Sequence, residues 1–249
     1  MDRNTLKNYQ RGTALAGVGR YAEAIACFES VLASGPDDPA TLVALGAAVD
    51  RLGLFYEAVA CCDRALALDS GLTDAWFMKG LALFRLGKYD DAVHSLDEAT
   101  CSDPSHAEAW FIKGNCYYQQ GEYEKAGRCF SETIRICPRY PKAMYNKGVA
   151  LAGRGEYAEA IDWYDQCLAI SPGVATVMTN KAVALAMTGR YNDAETLLRD
   201  ALEIDPLDIT AWSNLGLCLN RLGRDQEAMG CFKKVRELAG ERNQREIVR

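Results

Sequence analysis

A glycine recurs every thirty-four residues along this 249-residue chain: Gly19, Gly53, Gly87, Gly121, Gly155, Gly189 and Gly223. Five positions after each stands an alanine, namely Ala24, Ala58, Ala92, Ala126, Ala160, Ala194 and Ala228. A fixed period of this length means that one supersecondary unit is repeated. Each unit then buries its apolar face against its immediate neighbours, so the expected object is a stacked array that presents surface rather than a globule around one centre.

Counting from Thr5, seven blocks follow without insertion: 5–38, 39–72, 73–106, 107–140, 141–174, 175–208 and 209–242. Residues 243–249 remain as a short charged C-terminal tail. Within each block apolar residues recur at spacings of three and four in two bursts, which predicts two amphipathic helices per block and an all-α chain. The glycine ladder falls between the bursts, where a helix ends on a residue free to take positive φ. Pro36, Pro104, Pro138, Pro172 and Pro206 close the second helix, because proline cannot continue one. Gly240 replaces that proline in the last block. Acidic residues open the second helix in six blocks (Glu23, Glu57, Asp91, Glu159, Asp193, Glu227), at the positive end of its dipole. A second ladder of small residues, Gly12, Gly46, Gly80, Gly114, Ala182 and Gly216 with Gly148, sits mid-way along the first helix. Glycine there costs about 1 kcal/mol of helix propensity. The expected compensation is close approach to the alanine ladder of the paired helix.

Composition narrows the partners. A net charge of −6 argues against nucleic acid, whose phosphates need a basic footprint. The N-terminal residues Asp2, Arg3 and Lys7 are unlike a signal peptide, and the apolar stretch from Thr41 to Val49 is too short to cross a bilayer. The expectation is a cytoplasmic protein with no membrane partner. Ten cysteines raise the question of disulfides or metal. Cys27, Cys61, Cys129 and Cys231 share one repeat position, and Cys116 and Cys218 share another, so they read as small apolar filler. No C-x-x-C pair occurs, and His94 and His106 lack zinc-like spacing. No metal and no cofactor is expected.

Block three shows the signature in full: Trp76, Gly80, Leu83, Ala92, Leu96, Ala99 and Pro104. The pattern W-x2-L/K-G-x2-Y/L, then Gly, Tyr, A-x3-F-x2-A and a terminal proline is similar to the tetratricopeptide repeat, and it covers residues 5–242. The K-G and D-P style resembles bacterial or archaeal arrays. The resemblance implies a right-handed superhelical α-solenoid of antiparallel helix pairs, with the first helices lining a concave trough. This chain departs from the family in carrying Lys79, Lys113, Lys147 and Lys181 where many members have leucine. Two accounts stand open: the stems pack while the ammonium groups reach water, or the lysines form a cationic stripe for an acidic ligand, partly neutralised by Asp74 and Glu108.

Both ends look blunted. Asn8 stands where later blocks have Leu42, Trp76, Trp110, Met144, Met178 and Trp212, and Arg236 stands where other blocks are mostly aliphatic. The expectation is a complete array, with homo-oligomerisation through the solenoid ends left open. On the first helices the inward positions run Tyr9, Val43, Phe77, Phe111, Tyr145, Thr179 and Ser213, then Leu81, Asn115, Val149 and Val183, then Asp50, Phe84, Tyr118 and Asn220. Aromatic residues with polar neighbours suit recognition of a peptide or helix, although such residues also support the helix surface. Asn146, Asn180 and Asn214 repeat in register. In family members that bind extended peptides, similar asparagines bond the ligand backbone; tying adjacent helices together is the equal alternative. The candidate groove is therefore Tyr9, Phe77, Phe84, Phe111, Asn115, Tyr118, Tyr145, Asn146, Asn180 and Asn214. The family's two-carboxylate clamp for chaperone tails is incomplete here, since Phe111 and Thr176 occupy lysine places.

No set of titratable groups converges as catalysis requires. Gly87 and Lys88 are followed by Tyr89, so no phosphate loop is present, and no G-x-S-x-G elbow occurs. The sequence reads as a non-catalytic scaffold that binds a peptide or protein segment in its concave groove. The alternative is a self-assembling solenoid that packs end to end or as a dimer.

Overall fold

The computed structural model describes residues 3–247, with side chains described for residues 3–240. Fourteen α-helices and no strand occur among the described residues. The chain divides into two compact units, residues 1–136 and 137–249. The first holds α1 (Arg3–Gly17), α2 (Tyr21–Ala33), α3 (Pro39–Arg51), α4 (Phe55–Leu68), α5 (Thr73–Arg85), α6 (Tyr89–Ser102), α7 (Ala107–Gln119) and α8 (Tyr123–Ile136). The second holds α9 (Pro141–Gly153), α10 (Tyr157–Ile170), α11 (Ala175–Met187), α12 (Tyr191–Ile204), α13 (Ile209–Arg221) and α14 (Asp225–Ile247).

Odd-numbered helices are the first of each block and even-numbered ones the second. Within the first unit each helix packs on its sequence neighbours, and the first helices also touch one another, α1 on α3, α3 on α5 and α5 on α7. The same holds for α9, α11 and α13 in the second unit. No two second helices touch among the described residues. Each unit is therefore tighter along its first-helix side. The core is a series of local clusters: Leu42, Ala65, Leu66 and Ala75, for instance, come from α3, α4 and the start of α5. This is the nearest-neighbour burial of a solenoid.

The turn between paired helices is the same every time. Gly19 takes φ +80°, its N–H donates to Ala16 O, and the next N–H, of Arg20, reaches back to Leu15 O at 2.9 Å. That is the Schellman ending, in which the left-handed residue satisfies the last free carbonyls of a helix. Gly53, Gly87, Gly121, Gly155, Gly189 and Gly223 repeat it. Second helices stop short of their prolines, as with α6 ending at Ser102 before Pro104. The last block has no proline there, and α14 continues through Gly240 to Ile247, giving 23 residues where α12 has 14. Residues 243–247 of the tail are thus helical.

The mid-helix ladder meets bulky side chains ahead of the expected alanines. A Cβ added at Gly12 would lie 2.7 Å from the Phe28 ring; at Gly114, 2.6 Å from Phe130; at Gly148, 2.6 Å from Tyr164; at Gly216, 2.7 Å from Phe232. At Gly80 it would meet Leu96 at 2.6 Å. These large residues form their own thirty-four-residue ladder, four places beyond the alanines. Glycine is required because a bulky side chain of the second helix seats in the notch it leaves. The alanines are 0–1% exposed, and the carbonyls of Ala58 and Ala92 lie 3.5 and 3.3 Å from a Cβ placed at Gly46 and Gly80.

Block two has Cys62 in place of the bulky residue, and a Cβ at Gly46 would sit 3.4 Å from its sulfur, an ordinary contact. Gly114→Ala should therefore lower stability by about 1–3 kcal/mol through overpacking against Phe130. Gly46→Ala should be neutral or stabilising by up to about 1 kcal/mol through helix propensity. Guanidinium unfolding of the two variants checks this; equal losses would contradict the notch assignment.

Candidate functional site

All ten groove candidates are half-buried: their side chains take part in packing while leaving a face open. In the first unit Tyr9, Phe77, Phe84, Phe111, Asn115 and Tyr118 lie on α1, α5, α7 and their last turns. The aromatic members lean on the second helix of their own pair. Tyr9 meets Phe28 with ring centroids 5.9 Å apart, and Phe111 meets Phe130 at 5.9 Å. Phe84 and Tyr118 meet Tyr89 and Tyr123 across the turn at 5.9 and 5.5 Å. Phe77 instead stacks on His106 at 4.5 Å. That histidine also accepts the Ala109 N–H at the start of α7, so it is a helix cap.

In the second unit Tyr145 packs on Tyr164 at 6.1 Å. Asn180 donates its amide N–H to the Tyr145 hydroxyl at 2.7 Å, linking α11 to α9. Asn214 donates to Thr210 O of its own helix, and Asn146 lies on α9. The asparagines in register thus make contacts within the protein. An amide bonded through one N–H still offers its oxygen and a second N–H.

Two inward assignments are corrected. Thr179 is 2% exposed and donates to Asp208 Oδ2, because that carboxylate caps α13 beside it. Asp50 is also 2% exposed; its Oδ2 accepts from Arg85 Nη1 at 2.5 Å, joining the ends of α3 and α5. Its other oxygen, Oδ1, is buried without a hydrogen-bond partner. Burial pushes the Asp50 carboxyl above its ordinary pKa, and the Arg85 charge offsets this only in part.

The second unit also contains two adjoining cavities. One, of about 510 Å3, lies where α9 and α11 begin and α10 ends, lined by Arg139, Lys142, Tyr145, Cys167, Val174 and Val177 among others. The next, of about 400 Å3, carries Asn180, Asp205 and Asp208 and shares Thr176 with the first. Of the groove candidates Tyr145 and Asn180 line these cavities, while Arg139, Lys142 and Val174 beside them were not singled out by the sequence. The cationic run around Pro138 and Pro141 was the available signal.

The repeat is recognised independently. Models of the tetratricopeptide repeat match residues 77–141 and 179–241, more than half of the chain, and residues 141–206. The chain belongs to the tetratricopeptide repeat family. A model of anaphase-promoting complex, cyclosome, subunit 3 also matches residues 18–99. No curated relative matches the chain. Among solved structures it is similar to the C-terminal part of a TPR repeat-containing protein from Cytophaga hutchinsonii, with TM-score 0.75 and 19% identity over 92% of this chain and 95% of that one. A tetratricopeptide repeat protein from Parabacteroides merdae gives TM-score 0.70 and 17% identity over 95% and 94%. YrrB, described as a TPR protein with an unusual peptide-binding site, gives 0.67 and 20% over 74% and 95%. No helix among the described residues is long and apolar enough to cross a membrane.

Within this tetratricopeptide repeat framework the lysine ladder finds an explanation neither open account supplied. Lys79 pairs with Asp63 at 2.7 Å, Lys113 with Asp97 and Lys181 with Asp165. Each acid lies sixteen residues earlier, on the second helix of the preceding block. Asp74 and Glu108 are not the partners. At the same offset from Lys147 stands Ser131, and Lys147 instead sits 3.9 Å from the centre of the Trp163 ring. Desolvation there lowers the lysine's pKa. The cysteines behave as filler: burial raises Cys62 and Cys116 to about 12, while Cys101 and Cys137 are exposed.

Asp50 gives a test of sign. A carboxyl whose folded pKa lies above its unfolded one opposes folding when ionised, so stability falls as pH rises through the interval between the two values. Asp50→Asn removes that charge. The variant should melt above the wild type at pH 7, and the gap should close below pH ~4, where the unfolded carboxyl is protonated as well. A variant that melts lower at pH 7 would show that the Arg85 pair outweighs desolvation.

Proposed function

We propose that this protein is a non-catalytic scaffold that binds a peptide or protein segment along the first-helix face of its repeats. The observation that carries the reading is the row of half-buried aromatic and amide side chains on helices that touch one another, beside open cavities in the second unit. Aromatic residues held rigid by their own hairpin offer contact area at small entropic cost, which suits them as anchors. Asparagine amides beside them can pair with a ligand backbone in both directions. The likeness to YrrB, described as peptide-binding, agrees with this reading.

A second reading, self-association, draws on the last block. Met229 is 69% exposed, whereas Ile161, at the same repeat position, is 8% exposed. Leu217 on α13 is 55% exposed. Each leaves apolar surface open to another copy.

One experiment separates the two readings. Peptides selected by the wild type from a displayed random library should protect α5 and α7 from hydrogen exchange. Phe77→Ala with Phe111→Ala should weaken their binding at least about tenfold, without a change in mass by light scattering. Binding that survives the double substitution would contradict the groove. A mass that grows with concentration and drops in Met229→Glu would favour self-association.

A further inference from the structure

We infer that the 510 Å3 cavity bounded by α9, α10 and α11 anchors an acidic residue flanked by bulky apolar ones within an extended peptide segment; this deepens, and rests on, the segment-binding reading above. Its floor is apolar, built from Pro141, Cys167, Val174 and Val177 with the Tyr145 ring. Such a surface takes a bulky aliphatic or aromatic side chain.

Charge decides what accompanies that side chain. Arg139 and Lys142 stand at the cavity and no acidic residue lines it, in a chain whose net charge is −6. Several cations on the helices are matched: Lys79, Arg85, Lys113, Lys181 and Arg224 hold carboxylates. Arg139 and Lys142 enter no ion pair among the described residues. The helix ends add to the same sign. Tyr140 and Val174 precede α9 and α11 without giving a side-chain cap, whereas Asp208 caps α13 through the Thr210 and Ala211 N–H groups. The positive ends of two helix dipoles therefore face this region without a carboxylate of the protein's own. A ligand carboxylate would complete the set, since charge-assisted bonds to Arg and Lys are the strong ones.

The neighbouring cavity argues for a segment that passes through rather than ends here. The two cavities share Thr176, and the second offers Asn180, Asp205 and Asp208 instead of cations. A chain terminus seated at Arg139 would leave that continuation empty, while an extended segment advancing about 3.3–3.6 Å per residue fills both.

The test uses three fluorescein-labelled, C-terminally amidated decapeptides in a Gly/Ser background, with cores Leu-Glu-Phe, Leu-Gln-Phe and Ser-Glu-Ser, titrated against the full chain by anisotropy. The Leu-Glu-Phe probe should bind at least about tenfold more tightly than either control. Its advantage over Leu-Gln-Phe should shrink as salt screens the charges. Arg139→Glu with Lys142→Glu, both exposed positions, should bring it to the level of Leu-Gln-Phe. Val174→Trp, at a 39%-exposed position, should fill the cavity and weaken both Phe-containing probes, with circular dichroism confirming an intact helical fold. Equal binding of Leu-Glu-Phe and Leu-Gln-Phe, no binding of any probe, or indifference to both sets of substitutions would overturn the anchor. If Phe77→Ala with Phe111→Ala abolishes binding of library-selected peptides while Arg139→Glu with Lys142→Glu leaves the Leu-Glu-Phe probe unaffected, the anchor falls and the segment-binding reading stands. If the anchor discriminates while library-selected peptides protect only second helices, the groove falls instead.

Discussion

One contact repeats through the molecule, and the rest follows from it: a bulky side chain of each second helix seated in a notch on its first helix. Phe28, Leu96, Phe130, Tyr164 and Phe232 fill notches left by Gly12, Gly80, Gly114, Gly148 and Gly216. The glycine sacrifices helix propensity. In return two helix axes approach closely enough to bury an aromatic ring, such as that of Phe130 at 0% exposure. The bulky residue also joins a cluster with the next block's first helix, as Leu96 does with Ala109, Ile112 and Cys116, so the notch fixes the pair and the neighbour completes its burial. What the pair leaves uncovered is taken up by the next block, as Trp76 does when its indole N–H bonds the Ser70 carbonyl at the preceding turn.

That division of labour shapes the surface. Charged groups that would otherwise line the stack are consumed between blocks, with Lys79, Lys113 and Lys181 each tied to an acid of the block before. The inward row is left to aromatic and amide side chains, already ordered by contacts such as Tyr145 with Tyr164 and Asn180 with Tyr145. Side chains held in this way would lose little freedom on meeting a ligand, which is why they carry the proposed groove. Arg139 and Lys142, which enter no such pair, lie together at a cavity with no acid in its lining.

Much of the fold was legible because the period exposes each structural role several times. The turn glycines, the prolines that end second helices, the buried alanines and the filler cysteines all read correctly from spacing. The errors came where spacing alone is silent about direction. Gly80 and its counterparts announced a close contact, but alanine and bulky ladders stand in the same register and only the structure shows which one meets the notch. The partner of Lys79 lies sixteen residues back, an offset visible in the sequence only once it is known that a first helix packs on the preceding second helix. Asp50 and Thr179 counted as inward by period, yet each is buried because Arg85 or Asp208 happens to stand opposite. The cavity at Arg139 was missed because it forms where the ends of three helices meet the turns between them, a junction that the spacing within one block does not show.

The central claim is that each helix pair is stabilised by its own notch and its adjoining neighbours alone. Native-state hydrogen exchange of Phe130→Ala against the wild type tests it most directly, since exchange resolves stability segment by segment. Protection should fall most in α7 and α8, less in α6, and remain unchanged in α1 and α2. A uniform loss across all the helices of the first unit would mean a shared core, and would contradict the account.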